Sequence, residues 1–234
     1  AGGALIGQLW HPGRQQLWHP TKSPMGGSEQ PDALSWTVPH VMSSLEIERV
    51  VEAYVRTSAR LQRCGFAGVE LHGAHGYLIG QFLSPWSNNR DDVFGGDVEG
   101  RTRFVRDIGA GIRTTCGRNF IVGLKMPGDE GITGGISPDE AERLTRQIAA
   151  TGDFDYLSYG QGNFSLSLET HVPDLHFRPG HFIDIHKRMR AASAGLPVMA
   201  LGRINTPALA ERVIAEGYGD LGGMARALIA DAAW

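Results

Sequence analysis

The sequence predicts an α/β protein built as a (β/α)8 TIM barrel, and three observations carry that prediction. Short apolar runs alternate with longer stretches of helical period, hairpin signals between the runs are absent, and polar residues gather at the C-terminal ends of nearly every run. The first two imply parallel strands joined by crossover helices. The third favours a barrel over an open doubly wound sheet, because the chemistry of a (β/α)8 barrel is drawn from many strand ends on one face. A dinucleotide-binding sheet should also show GxGxxG after its first strand, and nothing here does so.

The strand candidates are residues 4–10, 67–72, 120–126, 154–159, 196–201 and 219–224, rich in Val, Ile, Leu and Phe. Helices are expected at 46–64, 98–114, 138–150, 181–194 and 207–216. Ser137 precedes Pro138, with Glu140 three residues beyond the Ser, and Thr206 precedes Pro207; each pairs a capping side chain with proline at the first helical position. The strand ends carry Gln8 and His11, His72 and His75, Lys125, Tyr159, Arg203, and Arg226. Two long connections, 11–45 and 160–180, hold aromatic residues and read as lids or binding loops. LWHP occurs at 9–12 and again at 17–20, an echo too short to be a repeat.

Six strands do not close an eight-stranded barrel, so the chain is expected to be part of a longer protein. Its opening, AGGALIGQLWHPGR, lacks a basic n-region and reads as a strand, not a signal peptide, and motif-like text runs to Trp234. The 22 Lys and Arg nearly balance the 25 Asp and Glu, and the basic residues are dispersed, so no nucleic-acid footprint is present. No apolar run reaches membrane-spanning length. Cys64 and Cys116 form neither a disulfide scaffold nor a CxxC motif, which suits a reducing, cytoplasmic compartment.

Residues 68–104, GVELHGAHGYLIGQFLSPWSNNRDDVFGGDVEGRTRF, together with QLWHPGR at 8–14, LPVMALGR at 196–203 and GMARALIAD at 223–231, resemble in order the old yellow enzyme family. Those proteins are FMN-containing NAD(P)H oxidoreductases on a (β/α)8 barrel. The match begins at the family's third strand, so the resemblance implies that residues 1–234 are a partial FMN-binding barrel domain lacking the first two strands. The HGAH and HVPDLHFRPG segments look most like the multidomain branch of 2,4-dienoyl-CoA reductase, trimethylamine dehydrogenase and N-methylproline demethylase-like enzymes. Members of that branch carry a [4Fe-4S] cluster after the barrel; two cysteines cannot supply four ligands, so such a cluster is expected only beyond Trp234.

The resemblance also assigns roles. His72 and His75 match the pair that donates hydrogen bonds to a substrate carbonyl or anionic group, with a loop pair bonded to backbone as the alternative. HGAH is not HExxH, and without a third ligand no metal site is expected. Tyr77 matches the proton donor of alkene reduction, and otherwise packs beside Leu78. Gln8 matches the glutamine at the flavin pyrimidine edge, and Lys125 stands where the family usually has Arg near the flavin N1 and C2 carbonyl. Gly202, Arg203, Gly223, Met224, Ala225 and Arg226 match the phosphate loops. Arg101, Arg103 and Glu99 read as an ionic network, Asn88 to Asp91 as a rigidly bonded loop, and Asp129 and Glu130 as candidate partners of Lys125. The expected function is hydride transfer between NAD(P)H or an amine, flavin and a small-molecule acceptor, either enone or enoyl reduction or N-demethylation. A homo-oligomer is admissible. The alternatives are an inactive barrel kept as a binding or structural unit, and a phosphosugar barrel.

Overall fold

The computed structural model describes residues 2–16 and 23–234; the second LWHP segment and Trp18 lie outside the described residues. In chain order the strands are β1 (Ile6–Leu9), β2 (Met25–Gly26), β3 (His40–Val41), β4 (Gly68–His72), β5 (Ile121–Asp129), β6 (Tyr156–Gln161), β7 (Val198–Ala200) and β8 (Leu221–Gly222). The helices are α1 (Ser44–Arg63), α2 (Leu78–Leu83), α3 (Val98–Cys116), α4 (Pro138–Ala149), α5 (Leu168–His171), α6 (Ile183–Ala192), α7 (Pro207–Ala215) and α8 (Arg226–Ala230). Six strands pair in the order β1-β4-β5-β6-β7-β8, every pair parallel, while β2 and β3 form a small separate sheet. This is the helix-flanked sheet of a (β/α)8-type barrel, open between β1 and β8 among the described residues.

Register fixes the two faces. Glu70 pairs with Gly123 and Gly123 with Tyr156; His72 pairs with Lys125, Lys125 with Ser158, and Ser158 with Met199. With side chains alternating across a strand, these residues share the inner face and their neighbours point outward. The outward set, Val69, Leu71, Val122, Leu124, Leu157 and Val198, is fully buried beneath the helices. Helix α3 contributes Phe104, Ile108 and Ile112 to this core, and α4 contributes Leu144 and Ile148.

The helix starts have their expected chemistry. Ser137 Oγ accepts from the Glu140 amide at 3.3 Å and Thr206 Oγ1 from the Leu209 amide at 3.2 Å. Ser43 and Glu46 cap α1 reciprocally, the Glu46 carboxylate accepting the Ser43 amide at 2.8 Å. Helix α2 had no sequence signal, because all six of its residues are buried and no polar face marks a helical period. Its Phe82 ring stacks 4.5 Å from Phe104. Phe104→Ala is expected to cost about 3–5 kcal/mol, read as a lower urea midpoint at unchanged m-value. A midpoint equal to that of the wild type would contradict this packing.

Arg101 does not pair with Glu99. It is buried against Glu140 and donates to the Leu83 carbonyl at 3.0 Å and to the Gly96 carbonyl at 2.6 Å, tying α3 to α4 and α2. Glu99 stands by Arg106 at 4.0 Å and Arg103 by Asp107 at 3.8 Å, both exposed pairs of small energetic weight. The 88–91 loop is rigidly bonded as expected: Asn88 Nδ2 reaches the Phe82 and Phe94 carbonyls, and Arg90 Nη1 the Gly27 and Met42 carbonyls, at 2.7–2.8 Å.

Candidate active site

The end of β4 runs directly into HGAHGY, which places three aromatic groups together. His75 Nδ1 lies 3.3 Å from His72 Nε2, with the rings edge to face at 5.0 Å. Tyr77, the residue preceding α2, sits with its ring 5.1 Å from His72 and 5.2 Å from Trp10. The sequence reading has His72 and His75 side by side as donors; the structure instead bonds them to each other, with His75 in the left-handed region at φ 62°. A third imidazole joins them. His171, the last residue of α5, stacks on His75 with centroids 3.8 Å apart and planes inclined by 29°.

A cavity of about 870 Å³ opens at the C-terminal strand ends. His75 and His171 line one part of it with Lys125, and Gly202, Arg203, Gly223 and Arg226 another. Met224 and Ala225 complete the loop after β8. Gly223 is closely packed: a Cβ there would lie 2.2 Å from Leu201 Cδ2 and 2.9 Å from Met199 Sδ, so both side chains would have to shift. Arg203 donates to the Phe177 carbonyl, and Arg226 donates from Nη2 to the Pro173 carbonyl at 2.8 Å. The 171–180 segment is thereby fastened across both arginines, and each guanidinium keeps further N–H groups for an anion.

This donor set fits FMN. Two guanidiniums beside glycine-bearing strand-end loops suit a phosphate dianion, Lys125 adds a cation deeper in the same cavity, and the volume is within the roughly 300–1,000 Å³ of cofactor sites. Burial pushes the Lys125 ammonium below its ordinary range, and the facing charge of Glu70 opposes that shift. Neither Asp129 nor Glu130 serves Lys125. Asp129 accepts the Gly131 amide at 2.8 Å, and Glu130 accepts from Ser84 Oγ at 2.5 Å and the Ile136 amide at 2.8 Å. Gln8 donates to Glu70 at 2.6 Å, and Glu70 also accepts from Tyr156 at 3.0 Å and Ser158 at 3.1 Å. Gln8 and Lys125 thus converge on one inner-face carboxylate.

Sequence reasoning missed His171 and Asn163, and gave Glu130 a different partner. Asn163 is fully buried; its Nδ2 donates to Glu130 Oε1 at 3.3 Å, and its backbone bridges to His75. The available signal was a histidine inside a long loop that follows a strand end, the kind of loop that carries binding residues. Trp86 packs beneath the Arg14 guanidinium at 4.5 Å and Trp10 against Tyr77, so both wall the loops. Among the described residues, no three His, Cys, Asp or Glu side chains come together to hold a metal ion, and no helix is long and apolar enough to cross a membrane.

The histidines are held neutral. Burial, and then the Lys125 charge, lowers His72 to about 3 and His171 to about 4; burial also lowers His186, on the buried face of α6, to about 4. Unfolded, each titrates near 6.5. Above that pH neither state binds the proton and the rings contribute nothing. As pH falls from about 6.5 toward 4 the unfolded chain takes up protons that the folded one refuses, so stability falls by up to about 1.4 kcal/mol per pH unit for each ring. Urea midpoints measured from about pH 7.5 down to about pH 5 are expected to drop; a rising or flat midpoint would contradict the buried neutral cluster.

The family model described as NADH:flavin oxidoreductase / NADH oxidase family matches residues 1–234. An NADH oxidase of Thermoanaerobacter brockii is 32% identical over 235 residues, covering 100% of this chain and 36% of that protein. An N,N-dimethylglycine/sarcosine dehydrogenase of Chromohalobacter salexigens is 32% identical over 234 residues, covering 98% of this chain and 34% of the other. The solved structure of histamine dehydrogenase from Rhizobium sp. 4-9 superposes with a TM-score of 0.88 at 27% identity, over 98% of this chain and 33% of that one. The chain therefore spans about a third of the length of these relatives.

Proposed function

The chain belongs to the NADH:flavin oxidoreductase / NADH oxidase family, and we propose on that premise that residues 1–234 are a partial FMN-binding barrel domain of an oxidoreductase that exchanges hydride with a small substrate. One observation carries the reading: the phosphate-type loops with Arg203 and Arg226 share a single cavity with Lys125 and His75. When bound, FMN supplies the two-electron hydride chemistry, with NAD(P)H as the source of reducing equivalents in the reductive direction.

The residues supply orientation, charge and protons. Arg203 and Arg226, with Gly202 and the Gly223-Met224-Ala225 loop, hold the phosphate, while Lys125 stabilises negative charge at the pyrimidine edge and Gln8 contributes its amide there. His75 donates to the substrate carbonyl or anionic oxygen, and His72 fixes it from behind. In reduction of a conjugated carbonyl, Tyr77 gives the proton. Burial raises its pKa above the ordinary phenol value, so it is fully protonated at neutral pH and acts only where a carbanion is forming. An N-methyl amine substrate would need no proton from Tyr77.

Anaerobic titration tests the reading. Flavin absorbance in the purified protein is expected to bleach with NADH or NADPH and return with 2-cyclohexen-1-one, or to bleach directly with N-methylproline. A flavin that none of these alters would refute the hydride-transfer function, and the inactive-barrel alternative would stand.

A further inference from the structure

We propose that His171 is a third substrate-contacting imidazole which, paired with His75, binds a carboxylate carried by the substrate. The proposal rests on the oxidoreductase reading above and adds the substrate class.

The hydrogen bonds assign the protons. His72 Nδ1 is buried without a partner, and orphaned buried N–H groups are rarer than orphaned acceptors, so the neutral ring carries its proton on Nε2. That Nε2 lies 3.3 Å from His75 Nδ1, which must therefore accept, leaving the His75 proton on Nε2. His75 Nε2 faces the backbone of β6, 2.4 Å from where a Cβ on Gly160 would stand, and both residues line the cavity. His171 obeys the same rule: its Nδ1 is buried and unpartnered, so its proton also belongs on Nε2. Two stacked rings, 3.8 Å apart, thus bring two Nε2–H donors to one cavity.

The stack is held from one framework. Asn163 bridges to the His75 backbone, the Phe164 amide donates to the His75 carbonyl at 3.0 Å, and Asn163 Nδ2 donates to Glu130. Ser167, just before α5, donates from Oγ to the Glu130 carbonyl at 2.5 Å and accepts the Asn163 amide at 2.8 Å. The same buried residues therefore fix the loop of His75 and the helix of His171. Such preorganisation lowers the ordering cost of binding.

The cavity's charge selects the ligand. Among the described residues that line it, the cations are Lys125, Arg203 and Arg226 and the carboxylate is Asp231, on the segment after α8. With the arginines engaged by phosphate and Lys125 by the flavin pyrimidine edge, the two imidazoles remain for the substrate. A ketone oxygen is served by one of these donors, whereas a carboxylate has two oxygens to place, one for each Nε2–H. Burial and the Lys125 charge keep both rings neutral, so each offers a single N–H donor to the ligand.

The test uses the FMN-loaded protein and a matched pair of probes, 3-oxocyclohex-1-ene-1-carboxylate and 2-cyclohexen-1-one, with affinities read from the shift of flavin absorbance. The wild type is expected to bind the carboxylate about tenfold or more tightly than the ketone. His171→Phe keeps a stacking ring but removes the donor; it should erase that preference, read as the ratio of the carboxylate and 2-cyclohexen-1-one affinities. His171→Gln, which restores an N–H, should recover part of the preference. No preference in the wild type, or one that survives in His171→Phe or is lost equally in His171→Gln, overturns the proposal with the oxidoreductase reading intact. A wild type that takes up no FMN overturns both.

Discussion

Arg203→Gln combined with Arg226→Gln is expected to weaken FMN binding by about 10²–10⁴-fold. Each guanidinium contributes charge-assisted hydrogen bonds to a phosphate, about 1.5–3 kcal/mol apiece, and glutamine is polar but shorter and uncharged. The fold should persist, because Arg203 lies on the loop after β7, Arg226 opens the short helix α8, and their protein contacts are with the carbonyls of Phe177 and Pro173. A Kd for FMN from fluorescence quenching checks the magnitude, and the melting temperature of the flavin-free protein checks the fold. The two single variants should each lose part of the affinity, with incomplete additivity since one phosphate receives both. Unchanged affinity in the double variant would place the phosphate elsewhere.

His75→Ala is the second large effect. Its Nε2–H faces the cavity, His72 fixes its tautomer from behind, and burial removes competing water. Loss of a preorganised donor to a developing oxyanion costs about 10²–10³ in kcat. The expectation is a fall of that size in kcat for 2-cyclohexen-1-one reduction with bound FMN retained. His72→Ala should act through His75, lowering kcat less. A His75→Ala enzyme of near wild-type kcat would assign the donor role to another group.

Much of the fold was legible because its signals are local. The six strand runs and five long helices follow from apolar periodicity and caps such as Ser137 and Thr206, and their observed elements fall inside or within two residues of the expected spans, apart from the last residue of β5. Helix α2 was hidden by total burial, and β2 and β3, two residues each, are too short to carry a pattern. The site was legible where a motif spans contiguous residues, as in HGAHGY or the Gly-Arg loops. It was not where partners come from distant loops. His171 reaches His75 from 96 positions away, Asn163 meets Glu130 across two loops, and the carboxylate whose charge acts on Lys125 is Glu70 on the neighbouring strand, not the adjacent Asp129 or Glu130. Spacing along the chain does not report such contacts; register and burial do.

The most direct test of the central claim is the visible absorption spectrum of the full chain after incubation with FMN and removal of free flavin. Retained flavin bands near one FMN per chain, lost in the Arg203→Gln and Arg226→Gln double variant, are the result expected from the cavity and its donor set. A folded but colourless protein would contradict it.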